Sequence, residues 1–161
     1  VEVFLLKIPA MKVYNTTIET FLSDRKLAIA GASRNKQKFG YAVLRDLKEK
    51  GYELYPVHPE ADKIDGVDCY RSFADIPRDV THLVSLVPKD KTLSVVSDAL
   101  DHGITGIWLQ QTTDTPEAID LIMEKQAGLV MKACVLMYAA PVKGIHKFHR
   151  GIMKLFGLFS K

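Results

Sequence analysis

"LAIAGASRNKQKFGYAVLRDLKEKGYELYPV", Leu27 to Val57, carries an apolar run, a polar turn, an amphipathic stretch and a second apolar run. Leu27 to Gly31 has the small, apolar residues of a buried strand. Residues 40–50 then place Val43, Leu44 and Leu47 on one helical face, and Gly51 occupies the position just past a helix end that favours glycine. Residues 52–57 return to a strand pattern. Strand, helix and strand in immediate succession make a parallel pair, and the rest of the chain repeats the unit.

"VTHLVSLV" (80–87) reads as a third strand, Lys89 to His102 as a helix with Leu93, Val96 and Leu100 on one side, and Gly103 as its end. "ITGIWLQ" (104–110) is a fourth strand. Pro116 opens a helix at its first position, Gly128 closes it, and "LVMKA" (129–133) is a fifth strand. The expectation is an α/β, Rossmann-like, doubly wound fold with a five-stranded parallel sheet and helices on both faces. Ahead of it, Thr16 and Glu19 have capping-box spacing for a short helix with Ile18, Phe21 and Leu22 inward. The segment 58–79 is less regular, with a short extra strand near Val67 and a turn of helix around Phe73.

The 161 residues, 47% hydrophobic and 25% charged, fit one domain with a substantial core. Within it, 1–14 reads as a leader before a natural start at Met11, 15–26 as the N-terminal helix, 27–134 as the Rossmann core, and 135–161 as a basic amphipathic segment. Five of the 22 Lys and Arg residues lie in 143–161, where there is no acid, so the body of the chain is slightly acidic. That balance argues against bulk nucleic-acid binding. In the tail, Ile145, Phe148, Ile152, Leu155, Phe156 and Phe159 recur at helical spacing beside Lys147, Arg150 and Lys154. Packing on the domain, on a second copy or on a larger protein partner is expected in preference to a membrane surface. Cys69 and Cys134 form neither a metal spacing nor a disulfide framework, which suits a reducing compartment, the cytoplasm by default. The N-terminal run is too short and too charged for a signal peptide or a membrane span.

In an open parallel sheet, ligands bind beyond the carboxyl ends of the strands, beside the point where strand order reverses. The turn after the first strand therefore comes first. Gly31 and Ala32 let the backbone approach a phosphate, and the N–H groups at the start of the next helix point at it. Yet Ser33 and Lys36 stand where a dinucleotide fingerprint has glycines, and Arg34 and Lys38 add charge that a single pyrophosphate does not need. After the second strand, "YPVHPEAD" has His58, flanked by Pro56, Val57 and Pro59, where a dinucleotide enzyme places an acid for the ribose. A more anionic ligand than NAD fits both turns.

Together with "SFADIP", "LVP" and "WLQQ", these stretches resemble the small, stand-alone CoA-binding proteins, akin to the CoA-binding domain of the succinyl-CoA synthetase α subunit. The similarity runs from about Leu27 to Cys134. The resemblance implies a Rossmann-type fold, with the phosphates of coenzyme A on Gly31, Ala32, Ser33 and Arg34, and with Lys38 where a basic residue is common. Phe39 and Gly40 follow in the same loop-to-helix junction. Pro56, Val57, His58 and Pro59 resemble the family's Pro-Val-Asn-Pro and border the adenosine; Val87 and Pro88 flank the ligand from the third strand. His58 replaces the usual Asn, Val87 stands where some members carry Arg, and Thr112 falls near a frequent Gly.

Gln110 is divided between a structural and a ligand-binding role, and Trp108 is assigned to the core. Cys134 lies where members of the resembled family often have a Cys, and it is a possible redox thiol toward the coenzyme, weighed against being a small buried hydrophobe. No nucleophile stands at a recognisable spacing from a base, and no cluster reads as a metal site. The sequence thus reads as a binding protein for coenzyme A or an acyl-CoA, non-catalytic alone. The alternatives are an NAD(H)-binding redox or regulatory protein and an accessory subunit of an acyl-CoA ligase.

Overall fold

Adjacent residues along the central strands pack into opposite layers, which is why those strands are mostly apolar rather than alternating. The computed structural model describes residues 12–140. In chain order these form β1 (Lys12–Tyr14), α1 (Ile18–Ser23), β2 (Lys26–Ala30), α2 (Phe39–Glu49), β3 (Glu53–Val57), β4 (Lys63–Ile64), β5 (Val67–Asp68), a 3-10 turn (Phe73–Asp75), β6 (His82–Ser85), α3 (Lys89–His102), β7 (Gly106–Gln110), α4 (Pro116–Glu124), β8 (Gly128–Ala133) and α5 (Val135–Tyr138). The main sheet has the order β1-β8-β7-β6-β2-β3. Its last five strands are parallel, as expected, and β1 adds an antiparallel edge with Val13 opposite Val130.

Leu27, Ile29, Val84, Trp108 and Val130 face a layer made with α1, α2 and α5, whereas Ala28, Ala30, Leu83, Ile107 and Leu129 face α3, α4 and the 3-10 turn. Trp108 is fully buried, and its Nε1–H donates to the carbonyl of Ala133 at 3.1 Å, so its place is in the core. Phe21 meets it edge-on at 5.5 Å between ring centroids. The extra strand near Val67 is half of a tight hairpin, with β4 and β5 joined through Asp65 and Gly66, both at positive φ. Tyr41 and Lys48 of α2 hold this hairpin by bonding Asp65, whose carboxyl is pushed below the usual range by the Tyr41 hydroxyl first and Lys48 second.

Several boundaries differ from the sequence reading. Residues 12–14, read as leader, are the edge strand. The cap of α1 is Thr17, accepting from the Thr20 N–H, instead of Thr16. Gly128 does not end α4: Gln126 takes the left-handed conformation there, and Gly128 opens β8 because Thr16 fills the space that a side chain would need. The core also continues past residue 134, since all four residues of α5 are buried. The amphipathic pattern from Ile145 to Phe159 lies outside the described residues, as do residues 1–11. No helix among the described residues is long and apolar enough to cross a membrane.

Candidate functional site

Strand order reverses between β2 and β6, and the turn between β2 and α2 is built on backbone contact. Gly31 has φ of +90°, and a Cβ there would lie 2.7 Å from the Leu86 carbonyl carbon. Gly40, in the first turn of α2, lies still closer, for its Cβ would stand 2.2 Å from the Gly31 carbonyl oxygen. Both glycines thus serve the close approach of chain to chain. Between them, Ser33 Oγ accepts from the Asn35 N–H at 3.1 Å, keeping its own O–H as a donor, and Asn35 Oδ1 accepts from the Gln37 N–H at 2.9 Å. Lys38 caps α2 with no side-chain hydrogen bond, and its carbonyl accepts from the Tyr41 and Ala42 N–H groups, so the open positive end of the helix is formed by the N–H groups of Phe39 and Gly40.

Two crevices open on opposite faces of the sheet beside this turn. The larger, of about 750 Å³, lies on the α3 side and takes Gly31, Ala32, Val57, His58, Pro59, Val87 and Pro88 into one wall. The smaller, of about 410 Å³, lies toward α2 and α5 and contains Phe39, Leu86, Gln110, Gln111, Thr112, Thr113, Cys134 and Met137. Leu86 and Val87 are consecutive, so the end of the β6 strand divides the two. Ser33, Arg34 and Lys38 line neither crevice and stand on the connecting loop; Gly40 is buried beneath it. Pro56 is buried within β3, paired with Ile29, and does not border the crevice as the resemblance implies.

His58 explains its own departure from Asn. Its Nδ1 accepts from the N–H groups of Glu60 at 3.1 Å and Ala61 at 2.9 Å, the turn that an Asn carbonyl would make. The proton therefore resides on Nε2. Burial first, then the Arg34 charge, holds this imidazole below its ordinary pKa of 6.5. Because the folded state favours the neutral ring, this contribution to stability is full above about pH 6.5 and is lost as pH falls toward the folded value. His58→Asn keeps the acceptor without the titration, and is expected to show a shallower fall of melting temperature between pH 7 and pH 5 than the native chain. Equal slopes in thermal scans would show that His58 does not carry this dependence.

The walls of the larger crevice include residues that the sequence reading did not select: Arg71 and Ser72 before the 3-10 turn, Lys91 in the first turn of α3, and Asp98, Asp101 and His102 at its far end. Arg78 closes that end by donating to the His102 carbonyl. "YRSF" and "PKDK" offer basic residues near both switch-point turns, but only topology brings them to one cleft. Arg34 of the connecting loop and Glu60 of the turn after β3 form an exposed pair at 3.9 Å, which contributes little to the fold.

In the smaller crevice, Gln110 Oε1 accepts from the Val135 N–H at 3.1 Å, which ties β7 to α5 and gives Gln110 a structural role there. Cys134 is buried along this wall. Thr112 has φ of +69° and Lys132 has φ of +58°, the latter where the β7–β8 register shifts. A β-branched residue in that region is strained. Thr112→Gly is expected to stabilise the fold by about 1 kcal/mol and to raise the melting temperature by about 2–4 °C; an unchanged or lower value would mean that the threonine side chain contributes as much as its backbone costs. Among the described residues, no three His, Cys, Asp or Glu side chains converge as a metal site requires.

A parallel sheet with a basic, glycine-built turn at its switch point and a nucleotide-sized cleft beside it defines a Rossmann-like, coenzyme-binding domain. The model of the family described as "CoA binding domain" matches residues 25–140, and the chain belongs to that family. It is 34% identical over 82 residues to an ADP-forming acetate–CoA ligase of Methanocaldococcus jannaschii, a match covering 51% of this chain and 12% of that ligase. A solved structure of a conserved hypothetical protein from Pyrococcus furiosus is 35% identical, with a TM-score of 0.67 over 69% of this chain and 96% of that one. A hypothetical protein from Pyrococcus horikoshii is 26% identical, with a TM-score of 0.74 over 89% of this chain and all, 100%, of that one.

Proposed function

We propose that this protein binds coenzyme A or an acyl-CoA, with the ligand crossing the switch point from one face of the sheet to the other. The carrying observation is the pair of crevices flanking the Gly31 turn. The adenosine lies in the larger, between the His58 turn and Val87–Pro88. The pyrophosphate lies on the loop, where the Ser33 hydroxyl, the open first turn of α2, Arg34 and Lys38 are its donors. The pantetheine arm enters the smaller crevice, whose Phe39, Leu86 and Met137 suit a methylene chain or a short acyl group. Cys134 lines that crevice, within which a disulfide form of the coenzyme would exchange with its thiolate, releasing one coenzyme thiolate and leaving a mixed disulfide.

The chain acts in this reading as a cytoplasmic binding module without catalysis of its own, alone as a homo-oligomer or as the coenzyme-holding part of a larger assembly. The acetate–CoA ligase relative favours the second arrangement, an accessory role in acyl-CoA ligation. Calorimetry at fixed salt, offering CoA and NAD⁺ to the same protein, tests the coenzyme. Binding of CoA with no heat from NAD⁺ supports it. Binding of NAD⁺ alone would replace it with a redox or regulatory role, which the neutral His58 in place of a ribose-binding acid argues against.

A further inference from the structure

We propose that Arg71, with Lys91 of α3 lining the same crevice, forms a seat for a phosphate monoester on the adenosine ribose, so that the site selects a ribose-phosphorylated adenine nucleotide over its dephosphorylated form. The inference rests on the nucleotide occupying the larger crevice as proposed above. Both residues line that crevice, Arg71 from the segment after β5 and Lys91 from the first turn of α3.

Arg71 is anchored where a ribose is read. Tyr70 adds to the end of β3, its N–H donating to the Pro56 carbonyl and its carbonyl accepting from the His58 N–H, both at 2.8 Å. The next residue is therefore fixed beside the turn after β3. Its guanidinium is held in place, Nη1 donating to the carbonyls of Pro59 at 3.0 Å and Ala61 at 3.4 Å, and Nη2 to Asp62. A guanidinium has five N–H donors, so these three contacts orient it and leave two for a ligand.

Lys91 is placed against the electrostatics of its own helix. A cation in a first turn meets the positive end of the helix dipole, and Lys91 has no ion pair among the described residues. Asp98 and Asp101 lie two turns and more along the same helix, about 10 Å or further down the cleft. Arg71 shares its charge with Asp62, whereas Lys91 is uncompensated near the strand ends; Asp98 and Asp101 stand further along α3, with Arg78 in the same lining, so an anion is drawn to the Lys91 end of the cleft. His58 adds no charge there, being neutral and bonded to the turn.

The test compares the affinities of CoA and 3′-dephospho-CoA, and of NADP⁺ and NAD⁺, for the native chain, Arg71→Ala and Arg71→Lys. The native chain is expected to bind CoA about tenfold or more tightly than dephospho-CoA. In Arg71→Ala that ratio should fall below about threefold while dephospho-CoA affinity stays constant, with partial recovery in Arg71→Lys. Equal weakening of both ligands would reduce Arg71 to a structural residue and overturn the seat, as would a native chain that does not distinguish them. Preference for NADP⁺ over NAD⁺ with the same Arg71 dependence, and no binding of CoA, would support the seat and overturn the coenzyme A reading. Binding of none of the four would overturn both.

Discussion

Gly40→Ala is expected to destabilise the protein by about 3 kcal/mol and to weaken coenzyme binding about tenfold or more, although helix propensity alone predicts the opposite sign. Gly40 lies in the helical first turn of α2 and is not among the glycines at positive φ, so alanine there gains up to about 1 kcal/mol of intrinsic preference. Against that gain stands a Cβ placed 2.2 Å from the Gly31 carbonyl oxygen, with Gly31 C at 3.2 Å and Ala32 Cα at 3.3 Å. All three atoms are backbone, so no side chain can swing away. The Gly31 turn cannot retreat either, being packed on the backbone of Leu86 and Val87. Hence α2 must move away from β2, and its first-turn N–H groups move with it, away from the proposed phosphate position. Gly103→Ala is the matched control: it has φ of +110° but nothing within 4 Å, so it pays only the conformational cost of about 1–2 kcal/mol and leaves binding unchanged. Denaturant melts and CoA titrations of the two variants separate the cases. A Gly40→Ala protein as stable as the native chain would mean that the turn yields easily and is no rigid phosphate cradle.

The same contacts explain which features the sequence discloses and which it hides. The five parallel strands are legible because most of their residues are buried, on both faces of the inner strands, and apolar. Gly51 and Gly103 mark helix ends by adopting positive φ, and Pro116 marks a start. The turn beside β2 is legible from the switch-point rule together with its composition. β1 is hidden: three residues suffice to pair with β8, more than a hundred residues away, and so short a stretch has no periodicity to read. Gly128 misleads because its lack of a side chain answers Thr16 across the fold rather than a helix end. Within the site, Val57 to Pro59 are legible as a stiff turn, but the acceptor role of His58 Nδ1 depends on two backbone donors that only coordinates place. Arg71 and Lys91 belong to segments with no motif, and their joint presence in one cleft follows from the order of the strands. Strain at Thr112 and Lys132 is likewise invisible in composition, since neither residue type favours a left-handed backbone.

Replacing Arg34 and Lys38 together by Ala is expected to weaken CoA binding about 10- to 100-fold with almost no loss of stability, a combination that isolates ligand contact from folding. Among the described residues Arg34 makes one exposed ion pair, with Glu60 at 3.9 Å, and such pairs contribute little to the fold. Lys38 caps α2 without a side-chain bond, and a cation at that end opposes the helix dipole, so its removal is neutral or slightly stabilising. A phosphate on the loop reverses both accounts. It would accept from Arg34, release Glu60 from it, and turn the unfavourable charge at the helix start into a favourable one. Ionic strength supplies the second readout, since screening acts over about 8 Å at 0.15 M salt and about 30 Å at 0.01 M. The native protein should gain affinity steeply as salt is lowered, and the double variant much less, so that their difference widens at low salt. Affinity unchanged by the double substitution would remove the phosphates from this loop, and an effect independent of salt would mean that the two side chains shape the turn instead of charging it.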